Sequence, residues 1–233
     1  MIRKVLVGVM TLLLAFCMSG CGDDSEKSAG EKSAEVVKPE GRADKAVLAY
    51  AQLYAYGMVE DENMMAAGMT ESSVNDVQEQ VIAPLVQAFQ GYPLSDDNVE
   101  EITSQYVAKL HVAMNMKTKI KTDDPKNPVV ELTATTINKE EAVNVAENDE
   151  DLFALGVALG KLQSEGFTEE QLKDDPEFQE TAMDAVEKFI DKFPLNPEQT
   201  IEVTCKAVEG SDGKIYWAPE NPEEVAKFVG GQN

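Results

Sequence analysis

The spacing of apolar residues changes along the chain, and these changes constrain the fold more than any other feature of the sequence. Over residues 43–58 the apolar side chains recur every three or four positions, which predicts a helix with one buried face. Thr70 and Ser95 each precede a further helical pattern and are suited to cap it. Pro84 lies inside the first of these two helices, where we expect a kink. Three helices are therefore expected between residues 43 and 107, with a break at Gly91-Tyr92-Pro93 before the third.

In four later segments the apolar residues recur at every second position. Residues 110–121 alternate apolar and polar side chains, and residues 129–137 are rich in β-branched ones; the turn sequence TDDPKNP lies between them. Residues 200–208 and 214–218 form a similar pair around EGSDGK. We expect two hairpins that join into one antiparallel sheet of about four strands. Its apolar face should be covered by the N-terminal helices. The alternation fixes the register of each strand, because a slip of one residue would expose that face to water.

Helical spacing returns between the two hairpins. A stripe of leucines begins at Leu152, Thr168 and Gln171 fit a capping box, and Asp175 precedes a proline that can start another helix. A short final helix is expected after Asn221. Together the segments predict an α+β fold, in which an antiparallel sheet packs against N-terminal helices and a helical insertion separates the two hairpins.

The first 20 residues have the layout of a secretory signal peptide. Arg3 and Lys4 precede an apolar run that is shorter than the roughly 20 residues of a membrane-spanning helix. The run ends in MSGC at residues 18–21, which resembles the lipobox of bacterial lipoproteins, where the cysteine becomes the lipidated first residue. We therefore expect Cys21 to carry the lipid and to anchor an extracytoplasmic protein to the bacterial cell membrane. An ordinary signal peptide with an incidental cysteine is the alternative.

The composition limits the partners of the mature chain. Residues 22–42 are polar and charged, so we expect a disordered tether there, followed by a single domain over residues 43–229. With 43 acidic and 20 basic residues the net charge is −23, which excludes nucleic acid as a partner. The acidity is expected to keep an exported domain soluble, and weak binding of cations to its surface is the alternative.

Few residues have the type and spacing that catalysis or metal binding requires. His111 is the single histidine, so a site with several histidine ligands is excluded, and we expect this side chain on the polar face of a strand. Cys205 shares an apolar face with Ile201 and Val203 and is expected to be buried, with a reactive thiol as the alternative. We predict no catalytic residue, no metal and no cofactor.

Several segments together resemble a known family. AVLAYAQLYAYG near the start of the domain, LHVAMNMKTKI in the middle and TIEVTCKAVEGSDGKIYWAPEN near its end carry the resemblance. Over residues 43–229 the chain resembles the bacterial lipoproteins called domain of unknown function 5105, and it is similar to the broader cystatin-like or NTF2-like α+β group. The resemblance implies a curved antiparallel sheet wrapped on helices, often around a pocket, and it supplies no catalytic residues.

These observations favour a membrane-tethered lipoprotein without enzymatic activity that binds a small apolar ligand or another envelope protein. A pocket between the sheet and the first three helices would have Tyr50, Tyr54 and Tyr106 as candidate lining residues. The alternative for these side chains is that they fill the core. The alternative function is an NTF2-like hydrolase or isomerase that uses pocket carboxylates, which the sequence neither supports nor excludes.

Overall fold

The computed structural model describes residues 38–231. The predicted signal peptide, the lipidation site Cys21 and most of the predicted tether lie outside these residues. Nine helices and four strands are present in the described part of the chain. In chain order they are α1 (Ala43–Tyr56), α2 (Asp61–Ala66), α3 (Glu71–Gln90), α4 (Asp96–Met114), β1 (Lys117–Thr122), β2 (Val129–Ala134), α5 (Lys139–Asn148), α6 (Glu150–Ser164), α7 (Glu169–Lys173), α8 (Pro176–Asp191), β3 (Gln199–Glu209), β4 (Ile215–Pro219) and α9 (Pro222–Val229).

The described chain divides into two compact units. The first, called the α/β unit, contains residues 38–78, 116–134 and 199–231. The second, called the helical unit, contains residues 79–115 and 135–198. The single domain expected over residues 43–229 stays a prediction.

The four strands lie in the α/β unit and form one antiparallel sheet in the order β1-β2-β3-β4. The two predicted hairpins therefore join through β2 and β3, with the helical insertion α5 to α8 between these strands in the chain. Val130 lies opposite Val203, and both side chains are buried on the same face of the sheet. The predicted α+β class, the sheet and the insertion are confirmed.

Helix α1 covers the buried face of the sheet. It contacts all four strands, and α2 and α9 pack against it in turn. Ala46, Val47, Ala49 and Ala51 are completely buried, and the small alanines let the helix approach its neighbours closely. A helix that is apolar around most of its circumference is stable only in the interior, so α1 forms the core of this unit.

The first strand begins later than predicted. Residues 110–114 are the last residues of α4 and do not belong to a strand; β1 starts at Lys117. Leu110 and Met114 are buried, as either structure would allow, but Val112 is 77% exposed, as only the helix allows. Asn115 ends the helix in the left-handed conformation with a φ of 44°, which asparagine adopts more easily than most residues.

The expected position of His111 was wrong for the same reason. It lies in the last turn of α4 and not on a strand. A second difference concerns β2, which ends at Ala134 although the pattern predicted a strand to residue 137.

The helical unit is organised around α8, which contacts α4, α6 and α7. The side-chain amide of Gln179 on α8 is buried and makes four hydrogen bonds inside this unit. Its Nε2 donates to the carbonyls of Pro93 and Leu172 at 2.8 Å each. Its Oε1 accepts from the backbone N–H of Ser95 at 2.9 Å and from Asn98 Nδ2 at 2.8 Å. This amide therefore links α8 to the start of α4 and the end of α7.

Candidate functional site

An open cleft of about 580 Å³ lies in the α/β unit. Its lining comes from the chain before α1, from α1 and α2, from the loop after α2, and from the β3–β4 turn and β4. We call it the cleft, and it is lined by Glu40, Gly41, Arg42, Lys45, Glu62, Met65, Ala66, Gly68, Met69, Thr70, Ser211, Asp212, Lys214 and Tyr216.

Glycines allow the elements around the cleft to approach one another. Gly68 has a φ of +64°, and a Cβ at this position would overlap Cδ2 and Cγ of the Tyr216 ring. Gly210, in the β3–β4 turn, approaches the same ring, because its Cβ would lie 2.8 Å from Cε2. Both glycines therefore allow the backbone to approach the Tyr216 ring closely, which restricts the position of the ring in the lining.

The Tyr216 hydroxyl is held as well. It donates to Asp212 Oδ2 at 2.9 Å, and Asp212 Oδ1 accepts from the backbone N–H of Lys214 at 3.1 Å. The Lys214 N–H and the Tyr216 hydroxyl hold the pKa of the Asp212 carboxyl below its usual range. The same carboxylate raises the pKa of the Tyr216 hydroxyl. Both oxygens of Asp212 are thus engaged by the protein itself.

Three cationic side chains line the cleft, and each has a carboxylate nearby. The Arg42 guanidinium donates to the buried Asp44 carboxylate from Nε at 2.9 Å and from Nη2 at 2.6 Å. Lys45 Nζ lies 3.5 Å from Glu62. Lys214 Nζ lies 3.8 Å from Asp212. The two lysine contacts are longer than the 2.7–2.9 Å that is usual for a charge-assisted hydrogen bond.

Apart from Glu40, the remaining lining is apolar or small. Met65 is 65% exposed, which is unusual for a large apolar side chain, and Met69 and Ala66 lie in the same lining. The lining begins at Glu40, whose N–H donates to the carbonyl of Ile215 at 2.7 Å, so residue 40 pairs with β4. The predicted tether, which was expected to reach residue 42, therefore includes residues that belong to the α/β unit.

A second concavity, of about 490 Å³, lies in the helical unit around Asp149 and Lys192. Lys192 Nζ donates to Asp149 Oδ2 at 2.8 Å and to Asp151 Oδ2 at 2.9 Å. Burial alone would raise the pKa of Asp149, but the Lys192 ammonium and the N–H of Leu152 lower it. Because Lys192 already pairs with both carboxylates, and because Asp149 caps α6, we interpret the arrangement as structural.

The tyrosines proposed as pocket lining lie elsewhere. Tyr50 and Tyr54 are neighbours on α1, with ring centroids 6.1 Å apart. Tyr106 belongs to the helical unit, where it is 3% exposed and packs edge-on against Phe89 and Phe193. The lining of neither concavity includes these three residues. Their role in binding stays a prediction.

The predicted burial of Cys205 is confirmed. The side chain is completely buried on β3, and burial raises the pKa of its thiol to about 12. A thiol with this pKa stays protonated at neutral pH, so it is a poor nucleophile and a poor metal ligand.

Within residues 38–231 no three or more His, Cys, Asp or Glu side chains are grouped as a metal ion would require. The helices in the same range are too short or too polar to cross a membrane. No family model, curated protein or solved structure matches this chain. The predicted resemblance to a lipoprotein family and to the NTF2-like group therefore stays a prediction.

The cleft was not among the sites expected from the sequence. Its residues come from six elements that are dispersed along the chain, and several are glycines or methionines that carry no catalytic signature. The one available signal for the cleft was Met64-Met65 followed by Gly68-Met69. This pattern places large apolar side chains beside a glycine in the connection between two helices.

Proposed function

We propose that this protein is a non-enzymatic binding module, tethered outside the cytoplasm by a lipid on Cys21, and that the cleft of the α/β unit is its ligand site. The observation that carries the proposal is a preformed concavity with a fixed aromatic ring, exposed thioether side chains and cations. Ligand sites combine mainly apolar lining with a few placed polar groups, and their volumes are about 300–1,000 Å³. The cleft, at about 580 Å³, fits a small ligand.

The alternative of carboxylate catalysis has less support in this cleft. A general acid near neutral pH needs a raised pKa, whereas the pKa of Asp212 is lowered. Both of its oxygens also accept hydrogen bonds from the protein, so it is poorly placed to exchange a proton with a substrate.

The ligand site is tested by mass spectrometry of small molecules that copurify with the protein from its native envelope. Met65→Trp should fill part of the cleft and reduce the copurifying ligand. Met58→Trp is the matched control, because Met58 is also exposed at 41% and belongs to the same unit but does not line the cleft. Equal ligand content in the two variants would contradict the proposed site.

The anchor is tested by Cys21→Ala. The wild-type chain should fractionate with membranes and carry an added acyl mass, and the variant should lose both properties. If the variant keeps the same acyl mass and stays with membranes, Cys21 is not the anchor.

A further inference from the structure

Methionines are concentrated at one side of the cleft. Four of the ten methionines of the chain lie within residues 58–69, in and around the short helix α2. Two of them, Met65 and Met69, line the cleft. The Met65 side chain is 65% exposed and Met69 is half-buried, so a solute can reach both. Their thioethers are the only sulfur ligands among the lining residues, which include no cysteine or histidine.

The turn that ends α2 keeps these two methionines near each other. The N–H of Gly68 donates to the carbonyl of Met65 at 3.2 Å, and the N–H of Met69 donates to the carbonyl of Met64 at 3.1 Å. This pair of hydrogen bonds is the Schellman motif, which reverses the chain at a residue in the left-handed conformation. Gly68 supplies that conformation with its φ of +64°. The motif therefore folds Met69 back toward the last turn of α2, which carries Met65.

The Tyr216 ring lies against the same turn. A Cβ at Gly68 would overlap the ring, so the ring packs directly on a residue that lies between the two methionines in the chain. Aromatic rings attract cations to their faces, and they also make favourable contacts with thioether sulfur. Two thioethers and an aromatic ring are thus grouped around one glycine.

The charged residues of the cleft favour neither sign of ligand. The lining contains three cationic side chains and three carboxylates, the latter from Glu40, Glu62 and Asp212. The sulfur atoms are more selective. Thioethers are soft ligands that suit Cu(I), whereas hard cations such as Ca²⁺ and Mg²⁺ require oxygen ligands. At longer range, the net charge of −23 raises the concentration of cations near the protein.

We propose that Met65 and Met69 bind a soft monovalent metal ion, Cu(I) or its analogue Ag⁺, beside the ring of Tyr216. The inference rests on the proposed function, because the ion is a ligand of the same cleft. Binding involves no oxidation or reduction, and the ion enters and leaves as a monovalent cation. The structural alternative is that the two methionines only cover the end of α2 with apolar surface, in which case leucine would replace them without loss.

Silver ion is the probe, because it is as soft as Cu(I) and is not oxidised in air. The protein is the mature chain from residue 21 with Cys21→Ser and Cys205→Ala, so that no thiol competes for the ion. Cys205→Val is the second background should Cys205→Ala fail to fold. Silver nitrate is titrated in chloride-free buffer, and methionine methyl NMR follows binding. The signals of Met65 and Met69 should shift together and saturate at one ion per chain, whereas zinc and calcium nitrate should leave them unchanged.

Leucine variants separate coordination of the ion from apolar packing. Met65→Leu and Met69→Leu keep an apolar side chain of similar size and lose only the sulfur ligand. Each should weaken Ag⁺ binding by roughly tenfold or more, since even the loss of a group that merely supports a metal ligand costs this much. Met58→Leu is the matched control, because Met58 is also exposed and belongs to the same unit but does not line the cleft.

The outcomes distinguish this inference from the proposed function. Equal Ag⁺ affinity in Met65→Leu, Met69→Leu and Met58→Leu would overturn the inference, and so would zinc shifts at Met65 and Met69 as large as those with silver. If the cleft methionines do not bind Ag⁺ but Met65→Trp loses a copurifying ligand, the inference is wrong and the proposed binding function stands. If neither silver nor a native ligand involves the cleft, both are wrong.

Discussion

Replacing Gly68 with alanine is expected to lower the free energy of unfolding by about 2–4 kcal/mol. The φ of +64° places the residue in the left-handed region, where a Cβ costs roughly 1–2 kcal/mol. The new methyl group would also overlap the Tyr216 ring, whose position is restricted by two close glycines and a hydrogen bond, and overpacking costs about 1–3 kcal/mol. The lower entropy of the unfolded alanine variant offsets about 0.4–1 kcal/mol of this loss.

Two further glycines separate the backbone cost from the overlap. Gly213→Ala has only the backbone cost, because its φ is +77° and no atom lies within 4 Å of its Cβ position. Gly210→Ala has no such backbone cost, since its φ is not positive; its Cβ would overlap the Tyr216 ring and lie 3.2 Å from Asp212 Oδ1. Urea denaturation followed by the fluorescence of Trp217, the single tryptophan, measures all three variants. If Gly68→Ala is no less stable than Gly213→Ala, the ring does not lie against Gly68 as described.

Three other predictions concern the interior of each unit. Gln179→Ala should destabilise the protein by about 3 kcal/mol in urea denaturation, because four hydrogen bonds of a buried amide are lost; a loss below about 1 kcal/mol would contradict the network. Cys205 should react with maleimide slowly in the folded protein and rapidly in urea. The pKa of the Cys205 thiol is raised to about 12 in the folded protein, so the contribution of the buried thiol to stability is fully present below a pH of about 8.5 and is lost as the pH rises through 12. The wild type should therefore lose more stability at alkaline pH than Cys205→Ala does. An equal loss in the two proteins would refute this. Asp149→Ala should be about 1 kcal/mol less stable than Asp149→Asn, because asparagine keeps the cap of α6. Equal stability of the two variants would mean that Asp149 stabilises the protein only through its ion pair with Lys192.

The parts of the fold that local chemistry determines could be predicted from the sequence. Ser95 caps α4 and Thr168 and Gln171 form the capping box of α7, because each side chain bonds to a backbone group within three residues. The alternation around Val203 and Cys205 placed these side chains on the buried face of the sheet, because a slip of one residue would expose both.

Residues 110–114 show where local patterns fail. Leu110 and Met114 occupy the same face in a helix and in a strand, so their burial fits both structures. Only Val112 distinguishes the two, and its exposure is decided by the packing of α4, which the local sequence does not reveal. Asn115 was the one local signal that the helix continued to this point.

The cleft could not be predicted for a related reason. It depends on the approach of Gly68 to Tyr216, two residues that are distant in sequence. The packing of α2 on α1, and of α1 on β4, brings them together. The candidate lining tyrosines were chosen by residue type, and Tyr106 packs in the aromatic core of the helical unit, which is the alternative stated for it.

The most direct test of the central claim, that the cleft is the ligand site, is a methyl NMR titration of the mature protein with an extract of its native cell envelope. Met65 and Met69 line the cleft, Met58 is exposed outside it, and Met114 is buried in the helical unit. The account predicts that the signals of Met65 and Met69 shift and saturate while those of Met58 and Met114 stay unchanged. Saturable shifts at Met58 or Met114 with none at Met65 and Met69 would contradict it.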